Sequence, residues 1–313
     1  MKQMSVAVIG AGMAGVGAAR VMAEAGCRVV VFEKSRGLGG RCATKRWEGH
    51  LIDHGAQYFT IKNEEFSKAV RVCCGADLRE ISAPIVDETG RALPDAGRFF
   101  HALGNSRLAR ALGEGLEFRT GLAVADVNCR RISGEDFDVI MSTAPWPQSA
   151  KLVGLSECKN PYAPCLALLL LYREEWLGVT EGQYAVSDRS GHALAWSACE
   201  NHKLGRVGKG VTAMVVHASE KFSRERLEED SVGWSEDLRR LVEERWEISP
   251  AALLAMHPHR WRYARMMEKI EIPAMPPGWF FAGDLLTESR VESAWLAGRE
   301  AALRILKGAS DRI

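Results

Sequence analysis

A glycine-rich turn near the N-terminus constrains the fold more strongly than any other feature of the sequence. The apolar run Val6 to Ile9 leads into Gly10-Ala11-Gly12-Met13-Ala14-Gly15, and an alanine-rich stretch of helical character follows. A second β-branched run, Val29 to Phe32, then closes with Glu33. This order of strand, glycine turn, helix, strand and acid predicts a βαβ unit that binds a dinucleotide.

Each glycine of this turn has its own physical role. Gly10 permits the tight turn, Gly12 lets the backbone approach a pyrophosphate, and Gly15 lets the helix and the strand pack closely. Met13 and Ala14 open the helix, where free N–H groups favour the charge of a phosphate. We therefore expect these five residues to contact the cofactor.

The end of the second strand is predicted to bind the adenosine half of that cofactor. Glu33 can accept hydrogen bonds from the ribose hydroxyls, and an acid at this position disfavours the 2′-phosphate of NADP. Lys34, which follows it directly, is expected at the same site. This fingerprint alone does not separate FAD from NAD.

A second glycine turn, Arg36-Gly37-Leu38-Gly39-Gly40-Arg41, follows the acid and favours FAD. A second turn beside the first suits a ligand longer than the adenylate half, and Arg41 can pair with pyrophosphate oxygens. Gly40 and Arg41 are therefore predicted cofactor contacts. The alternative is a surface turn with a solvated arginine.

The C-terminal sixty residues carry features that suit the flavin half of FAD. An apolar stretch from Gly278 ends in Gly283-Asp284, and a final helix begins near Arg290 and Val291. Asp284 suits a contact with the ribityl chain, although it could also be an ordinary turn aspartate. The helix N-terminus would face flavin N1 and the C2 carbonyl and stabilise the negative charge that appears on reduction.

The predicted fold class is therefore α/β, with a Rossmann-type FAD-binding domain assembled from both chain ends. An inserted α+β substrate domain is expected to be built on a mixed or antiparallel sheet, with Cys165 to Tyr172 as a buried central strand. The FAD-binding parts are predicted at 1–62, 99–146 and 257–313, and the substrate-domain parts at 63–98 and 147–256. Helices are predicted over Glu64–Glu80, Asn105–Leu116, Asp230–Trp246 and Val291–Leu306.

Composition excludes several other classes of function. The formal net charge is +1, so no global basic field exists to hold nucleic acid or an anionic membrane. Eight cysteines are scattered without a CxxC pair or a histidine at metal-ligand spacing, which predicts no metal and a reduced, cytoplasmic setting. The longest uncharged apolar run, Cys165 to Tyr172, is far too short to span a bilayer.

Together these motifs resemble the glutathione-reductase-type FAD fold shared by amine oxidases and their relatives. Within that group, Asp53 to Thr60, His259 to Ala264 and Arg290 to Trp295 are similar to the bacterial renalase-like proteins. The similarity is dense over the first and the last sixty residues. In the middle it rests on isolated positions, which include Trp196 and Lys203.

The resemblance implies oxidation of dihydronicotinamide isomers in which hydride was added at the wrong ring carbon. Hydride would pass to flavin N5, and oxygen would then reoxidise the flavin and release hydrogen peroxide. Because aromatisation drives this transfer, the protein must chiefly stack the ring at the right distance and exclude water.

The residues expected at the reaction site are aromatic. Tyr58 lies in the family-like loop beside Gln57, and both are predicted to contact the flavin. His259, Trp261 and Tyr263 alternate on one strand and would share a face. The alternative for each ring is a place in the sheet core. Arg260, Arg262 and Arg265 on the same stretch could steer a phosphate-bearing substrate, but a solvated face is the preferred interpretation.

Three other functions stay open at this point. An amine oxidase, or a desaturase acting on a lipophilic substrate, would share the FAD motifs. A non-catalytic protein could hold the flavin as an interaction or redox-sensing module. An NAD-dependent dehydrogenase needs only the first glycine turn and leaves Arg41 and Asp284 unexplained.

Overall fold

The computed structural model describes residues 3–125, 130–155 and 158–310. Its strands are β1 Ser5–Ile9, β2 Arg28–Glu33, β3 Thr44–Trp47, β4 His50–Asp53, β5 Leu78–Glu80, β6 Ile85–Asp87, β7 Phe99–His101, β8 Glu117–Thr120, β9 Arg131–Ile132, β10 Glu135–Asp136, β11 Val139–Ser142, β12 Tyr162–Arg173, β13 Ala185–Ser187, β14 Leu194–Cys199, β15 Val211–Ala218, β16 Leu253–Met266 and β17 Trp279–Phe281. Its helices are α1 Met13–Glu24, α2 Glu64–Cys74, α3 Ser106–Leu112, α4 Trp146–Leu152, α5 Leu177–Thr180, α6 Glu220–Glu225, α7 Ser231–Trp246 and α8 Val291–Ser310.

The first sheet is parallel and draws its strands from both ends of the chain. Its order is β17-β11-β1-β2-β8, and every pair in it is parallel. All five residues of β1 are buried, as expected for the centre of a sheet that is covered on both faces. The C-terminal strand β17 pairs with β11 at one edge. The Rossmann-type sheet assembled from both chain ends is thus confirmed.

Helices α1 and α8 cross so closely that two glycines are required at their contact. A Cβ at Gly17 would lie 2.4 Å from the carbonyl oxygen of Trp295. A Cβ at Gly298 would lie 1.9 Å from the carbonyl oxygen of Ala14. This contact ties the C-terminal helix to the helix that follows the first glycine turn.

Gly298→Ala is expected to lower the free energy of unfolding by about 2 kcal/mol, because the added methyl group overpacks this contact. Gly308→Ala is the matched control, since Gly308 lies on the same helix and no atom of the described residues lies within 4 Å of its Cβ position. The control should be neutral or slightly stabilising. Denaturant unfolding of both variants measures the difference, and equal stability would show that the helices are not in close contact.

The second sheet is mixed and contains the long central strand expected from the sequence. Its order is β16-β12-β15-β14-β13-β6, and all pairs are antiparallel except β13 with β6. One face of β12 packs with Trp234 and Leu238 of α7. The opposite face, through Leu169 and Leu171, packs on Ile52 of β4. The sheet therefore lies between α7 and the segment that follows the glycine turns.

Several element boundaries differ from the predictions. Helix α2 ends at Cys74 because Gly75 adopts a positive φ of 51°, and the end of the predicted helix forms β5. Helix α3 ends at Leu112, just before Gly113. Strand β16 pairs with β12 as far as Met266, so the second sheet extends past the domain boundary predicted at 257.

The sequence predicts neither a membrane-spanning segment nor a metal site, and both can be examined over the described residues only. Within them, no helix is both long and apolar enough to cross a membrane. Over the same part of the chain, no group of three or more His, Cys, Asp or Glu side chains is arranged to hold a metal ion.

Candidate functional site

The first glycine turn forms a tight cradle at the carboxyl end of β1. Gly10 has a φ of +102°, and its N–H donates to the carbonyl oxygen of Phe32 at 2.8 Å. A Cβ at Gly15 would lie 1.9 Å from the carbonyl oxygen of Gly10. The Thr143 hydroxyl closes the turn by donating to that same carbonyl oxygen at 3.0 Å.

The N-terminus of α1 opens onto free space. Gly12 precedes the helix, and within the described part of the chain no side chain caps the helix and nothing lies within 4 Å of the position that a Cβ of Gly12 would take. Met13 and Ala14 form the first helical residues. An uncapped helix N-terminus beside an open backbone position suits an anionic phosphate group.

The second glycine turn lies directly against the first. The N–H of Gly39 donates to the carbonyl oxygen of Ala11 at 2.9 Å, and a Cβ at Gly40 would contact the Cα of Gly12 at 3.4 Å. Sequence spacing predicted both turns, and the structure brings them together. A ligand at the end of α1 would therefore touch both.

Glu33, the acidic residue predicted to bind the adenosine ribose, is buried at the end of β2. Glu33 accepts from the N–H of Ala11 at 2.9 Å and from the N–H of Ser35 at 2.8 Å, one bond to each carboxylate oxygen. Each oxygen keeps a further lone pair for a ribose hydroxyl. Lys34 is exposed, and its ammonium group lies 3.4 Å from the Gln148 side-chain oxygen.

Arg41 and Asp284 form an ion pair, although they are far apart in the sequence. The guanidinium of Arg41 donates to Asp284 Oδ2 at 2.7 Å and to the carbonyl oxygen of Ala264 at 3.1 Å. The hydroxyl of Tyr162 donates to Asp284 Oδ1 at 3.0 Å, and the hydroxyl of Ser289 donates to Oδ2 at 2.6 Å. Sequence reasoning missed Tyr162 and Ser289, since no local motif marks them.

Charge pairing keeps Asp284 ionised despite its burial. Burial alone would raise the pKa of this carboxyl, but Arg41 and the hydrogen bonds from Ser289 and Tyr162 hold it below its ordinary value. Burial raises the pKa of Tyr162 above its ordinary value. The phenol is therefore a neutral donor at the carboxylate that was predicted to contact the ribityl chain.

The N-terminus of α8 lies against the segment that follows Tyr58. Arg290 donates to the hydroxyl of Thr60 at 2.6 Å, and Val291 packs half-buried beside it. Glu292 is buried and accepts from the N–H groups of Lys62 and Asn63 at 2.8 and 2.7 Å. Glu292 was not predicted, because an acid in a first helical turn is common in any helix.

The segment Asp53–Tyr58, which we call the site loop, runs between the cradle and the second sheet. Gln57 in this loop is buried, and its amide N–H donates to the carbonyl oxygen of Asp53. Its side-chain oxygen is also buried but has no hydrogen-bond partner among the described residues. Such an unpaired atom is available to a ligand.

The predicted aromatic residues lie in three separate groups. His259 and Trp261 lie with ring centroids 4.4 Å apart, and both contact the ring of His54, at 4.6 and 5.4 Å respectively. We call these three rings the ring cluster. Tyr58 contacts Trp196 instead, at 6.1 Å.

Tyr263 belongs to a separate group at the Asp284 end of the site. Its ring lies 5.9 Å from that of Tyr162, whose hydroxyl binds Asp284. The arginines that alternate with these rings on β16, Arg260, Arg262 and Arg265, are exposed as expected. Arg262 pairs there with Glu228.

The imidazoles of this region are uncharged at neutral pH. Burial, helped by His259, lowers the pKa of His54 to about 3, and burial lowers the pKa of His217 to about 4. The pKa of His259 is also lowered by its burial and by His257 and Lys45. His54 and His217 were not predicted as site residues, because their packing depends on strands distant in sequence.

Comparisons with known proteins agree with this architecture. Residues 8–72 match the family of NAD(P)-binding Rossmann-like domains. A stretch of 51 residues is 47% identical to phytoene desaturase of Fusarium fujikuroi, over 16% of this chain and only 9% of that protein.

Similarity to solved structures extends over nearly the whole chain. A protein from Exiguobacterium sp. 255-15 described as a protoporphyrinogen oxidase superposes with a TM-score of 0.78 and 12% identity, over 97% of this chain and 99% of that one. A reduced UDP-galactopyranose mutase superposes with a TM-score of 0.76 and 12% identity, over 97% of this chain and 96% of that one. Cyclohexylamine oxidase of Brevibacterium oxydans IH-35A superposes with a TM-score of 0.72 and 10% identity, over 99% of this chain and 100% of that one. The chain thus has the overall fold of these proteins, and its residues 8–72 are similar to NAD(P)-binding Rossmann-like domains.

Proposed function

We propose that this protein is an FAD-dependent oxidoreductase. The open position at Gly12 and the uncapped N-terminus of α1 would hold the pyrophosphate, and Glu33 would bind the adenosine ribose. Gly40 and Arg41 would lie beside the pyrophosphate. The open Cβ position at Gly12, where a dinucleotide needs close approach to the backbone, supports this proposal.

The flavin half would be held by residues from both ends of the chain. Asp284, fixed by Tyr162 and Ser289, would lie at the ribityl chain. Gln57 offers an unpaired buried oxygen to the ring system, and Arg290 and Val291 begin the helix whose N-terminus would stabilise negative charge. Bound FAD would accept two electrons from the donor and return them to oxygen, giving hydrogen peroxide.

We further propose a dihydronicotinamide dinucleotide as the electron donor, in an isomer reduced at a ring carbon other than C4. The observation that carries this proposal is the uncharged ring cluster of His54, His259 and Trp261. A neutral planar ring stacks well on such a surface. These side chains would orient the donor and exclude water, and aromatisation of the donor removes the need for an acid or a base.

A second candidate is the oxidation of an amine or the desaturation of a lipophilic substrate. The fold similarity to cyclohexylamine oxidase and the short match to phytoene desaturase favour it. The charges of the site argue against a cationic substrate. Asp53 and Asp284 are each already paired with a cation, so neither carboxylate is free to bind an ammonium group.

An anaerobic spectral titration of the FAD-loaded protein tests these proposals. Dihydronicotinamide isomers are expected to bleach the yellow flavin, and primary or secondary amines are expected to leave it unchanged. Bleaching by amines alone would favour the second candidate. Tight FAD binding with no reduction by any donor would indicate a non-catalytic flavin protein, and release of NAD on heating would indicate a dehydrogenase.

Matched variants on β16 link the result to the ring cluster. Trp261→Leu removes one stacked ring and is expected to slow bleaching about tenfold, since it loosens the orientation of the donor. Arg262→Gln changes an exposed neighbour and should leave the rate unchanged. Equal rates in the two variants would remove the ring cluster from the proposed site.

A further inference from the structure

The site loop is anchored to the second sheet by a buried cluster of charges that the proposed reaction does not use. The carboxylate of Asp53 accepts from the ammonium of Lys203 at 3.0 Å and from the guanidinium of Arg206 at 2.9 Å. Glu200 accepts from Lys203 at 2.5 Å and from the N–H of Asp53 at 3.1 Å. The side chains of all four residues are 0% exposed.

This cluster consists of two carboxylates and two cations, so removal of any member leaves a buried charge without compensation. Burial alone would raise the pKa of Asp53, yet Lys203 and Arg206 lower it below its ordinary value. The remaining Asp53 oxygen accepts from the hydroxyl of Thr44 at 2.6 Å and from the N–H of Asn105 at 3.0 Å. The first residue of the site loop is therefore held from several sides.

The next residues of the loop are also held by the sheet. The carbonyl oxygen of His54 accepts from Trp261 Nε1 at 3.0 Å and lies 3.1 Å from His217 Nε2. Since a carbonyl oxygen only accepts, this contact places the proton of neutral His217 on Nε2. Further along, the Tyr184 hydroxyl lies 3.5 Å from the carbonyl oxygen of Gln57.

We propose that Lys203 is a positioning residue, whose ammonium group fixes the site loop so that Gln57 and Tyr58 meet the flavin in one arrangement. The proposal rests on the proposed function only in naming the flavin as the group that Gln57 and Tyr58 contact. The anchoring of the site loop by Lys203 does not depend on that function. Lys203 acts through Asp53 and touches neither the ring cluster nor the glycine cradle in the contacts described above.

Lys203→Met is the variant that tests this role, because it keeps the length of the side chain and removes its charge. Glu243→Gln is the matched control, since Glu243 is a buried carboxylate that accepts from Arg239 at 2.6 Å on the opposite side of the second sheet. Both variants remove a buried charge from an ion pair, but the Glu243 pair lies within α7 and only Lys203 is connected to the site loop.

Amide hydrogen exchange of peptides that cover 53–60, measured on the whole protein, is the first readout. Lys203→Met is expected to exchange there about tenfold faster than wild type, while Glu243→Gln leaves these amides protected. The FAD-loaded Lys203→Met protein should also show a shifted flavin absorption band. Its kcat should fall about tenfold with little change in the FAD dissociation constant.

Equal exchange of the site loop in both variants, or global loss of protection in both, would overturn the proposal. If Lys203→Met does not fold, Lys203→Arg and Lys203→Gln replace it, because arginine keeps the positive charge beside Asp53 and glutamine can still donate without one. Faster loop exchange in Lys203→Gln than in Lys203→Arg supports anchoring by the charge of Lys203, and equal exchange in the two variants overturns it. A wild-type protein that no donor reduces would refute the proposed function, yet the exchange result would still decide the role of Lys203.

Discussion

Gly12→Ala is expected to abolish tight FAD binding without unfolding the protein. Gly12 has a φ of −76° and a ψ of −176°, an extended conformation that alanine adopts without strain. Nothing lies within 4 Å of the new methyl group, so it fits the apoprotein. It would, however, occupy the space through which a pyrophosphate approaches the backbone.

We expect the dissociation constant for FAD to rise by about 100-fold, which corresponds to roughly 2.7 kcal/mol. Flavin absorbance on titration of the apoprotein measures the affinity, and denaturant unfolding measures the stability of the apoprotein. Gly37→Ala is the control, since its Cβ position is also open and lies in the second glycine turn. Undiminished affinity in Gly12→Ala would show that no dinucleotide binds at this cradle.

A contrasting variant separates the two kinds of glycine in the turn. At Gly15 a Cβ would lie only 1.9 Å from the carbonyl oxygen of Gly10. Alanine there disturbs the turn itself, so loss of FAD in that variant would come with loss of stability. Gly12→Ala is informative because it should lower the affinity for the cofactor and leave the stability of the apoprotein unchanged.

The cradle could be predicted from the sequence because its residues are close together in the chain. Gly10, Gly12, Gly15 and Glu33 belong to one βαβ unit, whose spacing reflects the geometry of a turn and a helix start. The sequence predicted them as one unit, and the structure places them together at the carboxyl ends of β1 and β2.

The remainder of the site depends on contacts between distant segments. The sequence suggested Arg41 and Asp284 as separate cofactor contacts, whereas the structure pairs them with each other. Tyr162 joins them from the second sheet, and no spacing rule connects positions so far apart. The cluster of Glu200, Lys203 and Arg206 with Asp53 has the same origin.

The contacts of the predicted aromatic residues could not be predicted from the sequence for a related reason. Alternation along a strand correctly placed His259 and Trp261 together, because side chains two residues apart share a face. Alternation does not show which neighbour each ring meets. Tyr58 contacts Trp196 on β14, and Tyr263 contacts Tyr162 on β12.

The fold alone leaves the reaction open. The same architecture is similar to a UDP-galactopyranose mutase and to a cyclohexylamine oxidase, which act on unrelated substrates. The choice of donor must therefore rest on the residues of the site. In this chain those residues are an uncharged ring cluster and two carboxylates that are already paired.

Acid is expected to destabilise the apoprotein between about pH 6.5 and pH 4, before most carboxylates titrate. The ordinary pKa of histidine is 6.5, and burial lowers the pKa of His54 to about 3 and that of His217 to about 4. Within this window the unfolded chain binds more protons than the folded chain, so the free energy of unfolding falls as the pH falls. At pH 5 each histidine should contribute a loss of about 2 kcal/mol relative to neutral pH.

His54→Leu isolates this effect from the other titrating groups. The lowered pKa values of Asp53 and Asp284 matter only below the ordinary aspartate value of 3.8, while the raised pKa of Glu200 opposes the histidines. The variant should therefore lose about half of the combined acid sensitivity of the two histidines, measured as unfolding free energy from pH 7 to pH 4.5. Because the Nδ1 atom of His54 is buried and has no hydrogen-bond partner in the ranges that the structure describes, leucine should cost little stability at pH 7. Parallel curves of unfolding free energy against pH for wild type and variant would mean that His54 titrates normally. The ring cluster would then not be uncharged, and the argument for the proposed donor would fail.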